Sequence, residues 1–460
     1  NQHKISKYKK HLNIEIQKIN SELDNLDNRY NSNYASLNLV EDHELLESVN
    51  SLVKQKKLLD PKVLVVIGIG GSNLGTLAVI QALNGVFYND LNCNNLNNNL
   101  KVYFADTISP EYTNNLLQII ELELKKSNQV IFNIISKSGT TIETIVNFAI
   151  FLDLLKKYRP ENYQDFIIVT TDRNSKLWDL AQKEKFSCLE IPHKVGGRYS
   201  VFSAVGLFPL AILDIDIKSL LDGARLMRNN CLVSLESPEN SSEDFNNKLN
   251  NNQNNIAALS AIIIYNKYIN NINIHDTFVF NPNFFALGQW YRQLVGESLG
   301  KQFSFEHKEI FAGITPTVSV GTTDLHSVAQ LYLGGPYDKF TTFLAVSNRF
   351  NNLYKTSELE IARDISIPNL PETNNLAPEI QNKTVTNILD AIFTGTCQAY
   401  KNSNRSFVSI ILPEINEYYI GQFLQFKMLE TIFLAKLMDV NPFDQPQVEL
   451  YKIETKKILK

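Results

Sequence analysis

Short apolar runs alternate with longer helical segments along most of this chain, and that alternation restricts the fold more than any single motif. KVLVVI at 62–67, VYFAD at 102–106, VIFNIIS at 130–136, FIIVTT at 166–171 and CLEI at 188–191 are rich in β-branched or aromatic residues. Each is too short for a helix. Helical spacing fills the gaps at 74–84, 110–126, 141–157 and 173–185. Doubly apolar strands with helices between them predict a parallel sheet covered on both faces. After a pause the alternation resumes with helix 256–269, strand TFVFN 277–281, helices 285–299 and 326–333, strand FTTFLAV 340–346, helix 376–400, strand FVSIIL 407–412 and helix 417–438. Two α/β sandwiches are expected, and 460 residues are too many for one ordinary core.

The flanks differ. Ile5, Tyr8, Leu12, Ile16, Ile19 and Leu23 recur at helical spacing, so 1–45 reads as an N-terminal helical arm. The first domain is placed at 46–215, a polar linker or loop at 216–255, the second domain at 256–440 and a C-terminal helix at 441–460. Asparagine-rich tracts at 89–99 and 246–255 read as tolerant surface loops and are assigned no chemistry. Two sandwiches joined by a linker make a cleft, a common place for a small-molecule site.

Composition enters by exclusion. Lysine plus arginine is 44 and aspartate plus glutamate is 48, a net −4. That balance gives no basic excess for nucleic acid or an anionic membrane. Cys93, Cys188, Cys231 and Cys397 are scattered, unlike a disulfide framework, so a reduced, cytoplasmic setting is expected. No run approaches the ~18 apolar residues of a membrane span. The polar start NQHKISKYKKHLN lacks the apolar core of a secretory leader.

Two loops carry the strongest chemical signal. GIGGSNLG at 68–75 follows a strand and opens a helix, where glycines let an anion approach the helix N–H groups. Asn73 stands where a dinucleotide fingerprint needs glycine, and no G-K-[ST] follows, so neither a Rossmann site nor a P-loop is read here. SKSGTTIET at 136–144 has five Ser or Thr in nine residues. Thr140 and Glu143 fit a capping box, but hydroxyls in that number also suit phosphate oxygens. Arg198 follows a glycine pair in VGGRYSVFSAVG at 195–206. Glu297 lies late in an apolar helix, where the dipole disfavours it. His326 sits after a Gly-Thr-Thr turn that Asp324 could cap, and Gln445 and Lys452 lie near the end. Taken singly, each of these residues could equally be a surface charge, an ion-pair partner or a structural side chain.

Together, GIGGSNLG, SKSGTTIET, VGGRYSVFSAVG, GESLGK, GTTDLHS and FDQPQVELYK resemble, in this order, the glucose-6-phosphate isomerases of the sugar-isomerase (SIS) fold family, from about 62 to the C-terminus. The resemblance implies two SIS-type α/β/α sandwiches and an aldose–ketose isomerase acting on a sugar phosphate. It implies a phosphate pocket at Gly71, Ser72, Ser136, Lys137, Ser138, Thr140 and Thr141, with Gln445 near the phosphate. It implies Glu297 as the catalytic base, His326 and Lys452 as the ring-opening pair, and Arg198 as the group that stabilises an enediolate. It further implies no cofactor, no metal and a homodimer, with His326 supplied to the neighbouring subunit's site. The sequence departs from the family pattern at Gln447, where glycine is common, and at Asn73, where an aromatic is frequent. A bifunctional phosphoglucose/phosphomannose isomerase and a non-catalytic sugar-phosphate sensor are the alternatives. The acid–base candidates Glu297, His326 and Lys452 are all present, which favours an enzyme. An amide-transferring isomerase would need a glutaminase domain, for which the short polar arm leaves no room.

Overall fold

The structure, a computed structural model, describes residues 2–25, 29–91, 100–235, 255–348 and 364–460. Both asparagine tracts fall largely outside these residues, as does Cys93. Strands β1 (Pro61–Ile67), β2 (Lys101–Ala105), β3 (Gln129–Ile135), β4 (Ile167–Thr171) and β5 (Ser187–Glu190) form one sheet in the order β2-β1-β3-β4-β5. Every pairing in it is parallel. Each strand lies within two residues of its sequence expectation, and β1, β3 and β4 are buried almost throughout, as strands covered on both faces must be.

Strands β6 (Ile274–Val279), β9 (Thr315–Val320), β10 (Lys339–Asn348) and β11 (Phe407–Glu414) form a second parallel sheet in the order β11-β10-β6-β9. Strand β9 is not among the expected elements. It is a half-exposed edge strand, and edges tolerate its Pro316. Its Thr317 and Ser319 hydroxyls donate to buried Asp276, at 2.6 and 3.0 Å, instead of packing apolar side chains. A hairpin of β7 (Lys301–Phe303) and β8 (Glu309–Ala312) is likewise an addition to the expected set.

The linker expected at 216–255 needs correction. Ile217–Cys231 is a helix, capped by the Asp216 carboxylate and packed along the helix Glu417–Leu437. The two backbones nearly touch. A Cβ at Gly223 would fall 1.9 Å from the Tyr418 carbonyl oxygen, and one at Gly421 2.0 Å from that of Leu220, so both positions need glycine. The helix expected at 376–400 begins at Val385, where Thr384 and Asn387 form a capping box. The arm helix spans Gln2–Leu23, and a last helix spans Val448–Ile458. One apolar cluster runs from Leu12 of the arm through Val65 and Ile134 to Leu344 and Leu429.

Topology also says where to look for a site. Numbered within its own sheet, the first runs 2-1-3-4-5. In open α/β sheets a ligand sits beyond the strand C-termini where the order reverses, here between β1 and β3. The loops leaving those two strands are GIGGSN and SKSGTT.

Candidate active site

The first loop turns through Gly70–Ser72 and is pressed against Gly197–Tyr199. A Cβ on Gly71 would lie 2.1 Å from the Gly197 carbonyl carbon and 2.6 Å from the Arg198 nitrogen. Gly71 is therefore what lets the loop carrying Arg198 close on β1. Gly71→Ala is expected to cost about 3 kcal/mol by overpacking and to raise the substrate KM sharply. Gly196→Ala, whose nearest neighbour is the Tyr199 ring at 3.6 Å, serves as the tolerant control. Urea unfolding and steady-state kinetics of both variants check this. The Ser72 hydroxyl makes no side-chain hydrogen bond among the described residues and lies partly open beside the turn.

Arg198 is only 2% exposed, and each of its five N–H groups has an acceptor. Nε donates to Ser298 Oγ at 2.8 Å; Nη1 donates to Glu297 Oε2 at 2.9 Å and to Gln445 Oε1 at 2.8 Å. Nη2 donates to the carbonyls of Pro442 and Asp444. Such a guanidinium is immobile and fully charged.

Glu297 stands in the last turn of the helix Phe285–Leu299. Its other oxygen, Oε1, accepts from Gln293 Nε2 at 2.8 Å, one helical turn back. Gln293 in turn touches the first loop, since a Cβ on Gly70 would meet its Nε2 at 3.0 Å. The carboxylate is thus gripped at both oxygens while its side chain stays 30% exposed. The unfavourable dipole at this helix end is offset by cations. Besides Arg198, Lys301 donates to the Glu297 carbonyl at 2.8 Å and pairs with Asp444 at 3.1 Å. Burial pulls the Lys301 ammonium below the ordinary lysine value, against the opposing pull of Asp444. Gln293, Ser298 and Lys301 are site residues that the sequence reading misses. Gln293 and Lys301, at i−4 and i+4 from Glu297, are the signal that could have found them.

In the second loop the expected capping box is not formed. The N-cap of the helix Ile142–Tyr158 is Thr141, and its side chain accepts no backbone N–H. The hydroxyls instead bond one another: Ser136 to Thr141 at 3.1 Å, Ser138 to Thr141 at 3.4 Å and Thr140 to Ser138 at 3.4 Å. The first amides of that helix are thereby left for an external acceptor, as an anion site requires. Gly139, at φ +65°, makes the turn and lies against Ser175 and Leu177. Lys137 is half-buried beside it.

Lys452 and this loop share a cavity of about 390 Å³, lined among others by Ser138, Thr140, Thr141, Thr107 and Lys456. Lys452 itself donates to Glu449 one turn earlier, at 2.7 Å. Gln445 is exposed and rests on Arg198. Gln447 has φ −69° and ψ −25°, a conformation open to any residue, so the missing glycine strains nothing. Asn73 is buried and donates to the Asp106 carboxylate at 2.7 Å, where an aromatic could not. His326 is the residue left apart. It is exposed on the β9 side of the second sheet, and among the described residues no hydrogen bond or ion pair joins it to Glu297, Arg198 or Lys452. Its loop is braced by Asp324, which accepts from the Val320 amide and the Ser327 hydroxyl, both at 2.7 Å.

Comparison with known proteins gives the family. A family model described as "Phosphoglucose isomerase" matches residues 44–460. A glucose-6-phosphate isomerase of Carboxydothermus hydrogenoformans is 35% identical over 399 residues, covering 86% of this chain and 79% of the relative. One of Fusobacterium nucleatum is 34% identical over 444 residues, covering 96% and 90%. Among solved structures, a hypothetical protein of Thermus thermophilus superposes with a TM-score of 0.79 at 28% identity, covering 97% of this chain and 94% of its own. A glucose-6-phosphate isomerase of Chlamydia trachomatis superposes at 0.71 with 20% identity, covering 90% and 73%, a likeness of fold. The architecture is the expected SIS-type α/β one, with two parallel sheets and helical N- and C-terminal parts. The chain belongs to the phosphoglucose isomerase family.

Proposed function

We propose that this chain interconverts glucose 6-phosphate and fructose 6-phosphate. The observation that carries the reading is a carboxylate pinned at both oxygens yet partly open, tied through Arg198 and Gln293 to the loop that leaves β1, next to the hydroxyl-lined loop that leaves β3. The substrate's phosphate sits on Ser72, Ser136, Lys137, Ser138, Thr140 and Thr141, with Gln445 close by. That grip fixes the sugar so that binding energy is used to orient the reacting carbons. Glu297 removes the proton from C2 of the open aldose and returns it to C1 through a cis-enediol. One carboxylate on one face does both, so the reaction needs neither metal nor redox cofactor. Arg198 has no N–H to spare, so its fixed charge, and not a new hydrogen bond, stabilises the enediolate.

Ring opening precedes this and requires a proton shuttle between the ring oxygen and O1. Lys452 stands at the same cavity as the phosphate loop. His326 lies apart from it in its own chain, which supports a homodimer whose partner supplies that histidine. An imidazole can both accept and donate a proton, as such a shuttle must. We place the enzyme in the cytoplasm, in glycolysis and gluconeogenesis. The division into units of 46–215 and 256–440 is part of the same reading, with 217–231 reassigned from linker to helix.

The bifunctional alternative is not favoured, since these relatives carry only the glucose-6-phosphate isomerase name. The test is a coupled assay of the purified protein with fructose 6-phosphate and mannose 6-phosphate side by side, with and without chelator. Turnover of the fructose ester, indifferent to chelator, is expected, with none of the mannose ester. No turnover of either ester, with or without added metal, removes the proposal.

A further inference from the structure

Lys137 lies half-buried in the second loop with its ammonium unpaired: among the described residues no side chain or carbonyl accepts from it. Its electrostatic surroundings are mixed. Burial pulls it below the ordinary lysine value, Asp172 opposes that pull, and Lys194 and Arg198 add to it. Asp172 is therefore the one acid acting on this lysine, yet the two do not form an ion pair.

The reason is geometric. Asp172 follows β4 and is only 7% exposed. Its Oδ1 accepts from the Asn174 amide at 2.8 Å, and its Oδ2 takes His193 Nδ1 at 2.6 Å. Its own amide donates to the Lys137 carbonyl at 3.4 Å, tying the two loops together. The same turn is closed by Thr171 and Ser175 hydroxyls 2.8 Å apart, and Gly139 of the second loop packs on Ser175. A carboxylate held by two donors cannot swing onto the lysine. It acts through space and leaves all three ammonium N–H groups for an incoming anion.

We propose that Asp172 is a positioning residue of the phosphate subsite, keeping Lys137 charged without capping it, and that His193 helps hold the Asp172 carboxylate off the lysine. The inference rests on the assignment of the SKSGTT loop to the substrate phosphate. A direct Lys–Asp pair would have to be broken at each binding event; a carboxylate restrained nearby avoids that cost. His193, with a 73% exposed side chain, is one of the two donors that restrain the carboxylate. Other charged groups nearby are Lys194, next in sequence, Arg198, which also acts on Lys137, and Arg173, which is paired with Glu190 at 2.6 Å.

The signs give a distinctive signature. Removing the Asp172 charge lets Lys137 lose its proton at lower pH, so phosphate binding fails earlier on the alkaline side. Below that limb Lys137 is still charged and has lost a competing anion, so phosphate binds as well or better. Calorimetric titration with inorganic phosphate from pH 5.5 to 10 reads both. For Asp172→Asn the alkaline limb is expected to move down by about one pH unit, about tenfold in affinity at high pH. KM for fructose 6-phosphate should follow, with kcat changed far less. An unmoved limb, or kcat, KM and melting temperature falling together, would make Asp172 a brace of the turn and overturn the proposal.

His193→Ala removes one of the two donors and frees the carboxylate to reach Lys137, so phosphate affinity is expected to fall about two- to threefold, a modest effect because the ring is exposed, while His193→Gln keeps a donor and with it the affinity. Unchanged affinity in His193→Ala overturns the restraint, and this comparison decides even if Asp172→Asn does not fold. Phosphate binding is read without turnover. An inactive protein with a shifted limb would refute the isomerase reading alone, and an active one with a fixed limb would refute this inference alone.

Discussion

Glu297→Gln is expected to abolish the incorporation of solvent deuterium at C2 of the sugar phosphate while leaving phosphate-dependent binding within a few-fold of wild type. The substitution is close to isosteric, and the surroundings accommodate it. Gln293 Oε1 is buried without a partner in the wild-type chain, so its amide can turn over and accept from the new amide at position 297 instead of donating to the lost carboxylate. Arg198 Nη1 still finds an oxygen. What is lost is the basicity, and general base catalysis is worth about 10²–10⁴-fold. Weakening one charged hydrogen bond costs about 1–3 kcal/mol of stability, small enough for the variant to be purified. Proton NMR of the substrate in deuterated buffer is the direct readout. Persistent exchange at C2 would mean that another group moves the proton, and the mechanism built on Glu297 would fall with it.

The candidate site residues stood out in the sequence because their types are costly in those places. A glutamate at a helix C-terminus and an arginine between Gly-Gly and an apolar helix both need a reason, and the structure supplies it in one network of Arg198, Glu297 and Gln445. What holds the network was less legible. The acceptors at Pro442 and Asp444 are backbone carbonyls, and a carbonyl leaves no trace in residue type. The first sheet could be read nearly strand for strand because its strands are covered on both faces and so are uniformly apolar. Strand β9 could not, because an edge strand that turns Thr317 and Ser319 toward a carboxylate looks like a loop. The helix Ile217–Cys231 was legible in principle. Ile217, Leu220, Leu221 and Ala224 follow a helical spacing behind an Asp216 cap, but the polar tract that follows obscured its end. The hydroxyls of SKSGTT bond one another at the start of the helix Ile142–Tyr158, and the capping box inferred within them is not formed. The same Ser and Thr residues can cap or bind, and sequence spacing does not distinguish the two.

Arg198→Lys should separate charge from geometry, and its expected effect is large. Lysine keeps the charge but brings three donors on a flexible stem where the guanidinium supplied five in a fixed plane. At most three of the acceptors around position 198 can be satisfied, so at least two of Glu297, Ser298, Gln445 and the Pro442 and Asp444 carbonyls lose their donor. The consequence reaches beyond the carboxylate. Three of the four residues 442–445 are bonded to this one side chain, with Lys301 holding Asp444 as well, and they lead directly into the helix Val448–Ile458 that sets Lys452 at the cavity of the SKSGTT loop. Loosening the tether should disturb the placement of Lys452 and Glu297 together. A fall in kcat of about 10²–10³-fold is expected, of the size seen when a preorganised donor is removed from a developing oxyanion. Protease cleavage within 441–447 should accelerate in parallel. Arg198→Ala goes further: it strands Glu297 beside an empty cavity, costing about 3–5 kcal/mol, and that protein should be recovered poorly if at all. A lysine variant with kcat within twofold of wild type and unchanged proteolysis would show that charge alone suffices at this position, and that the C-terminal helix is held by something other than Arg198.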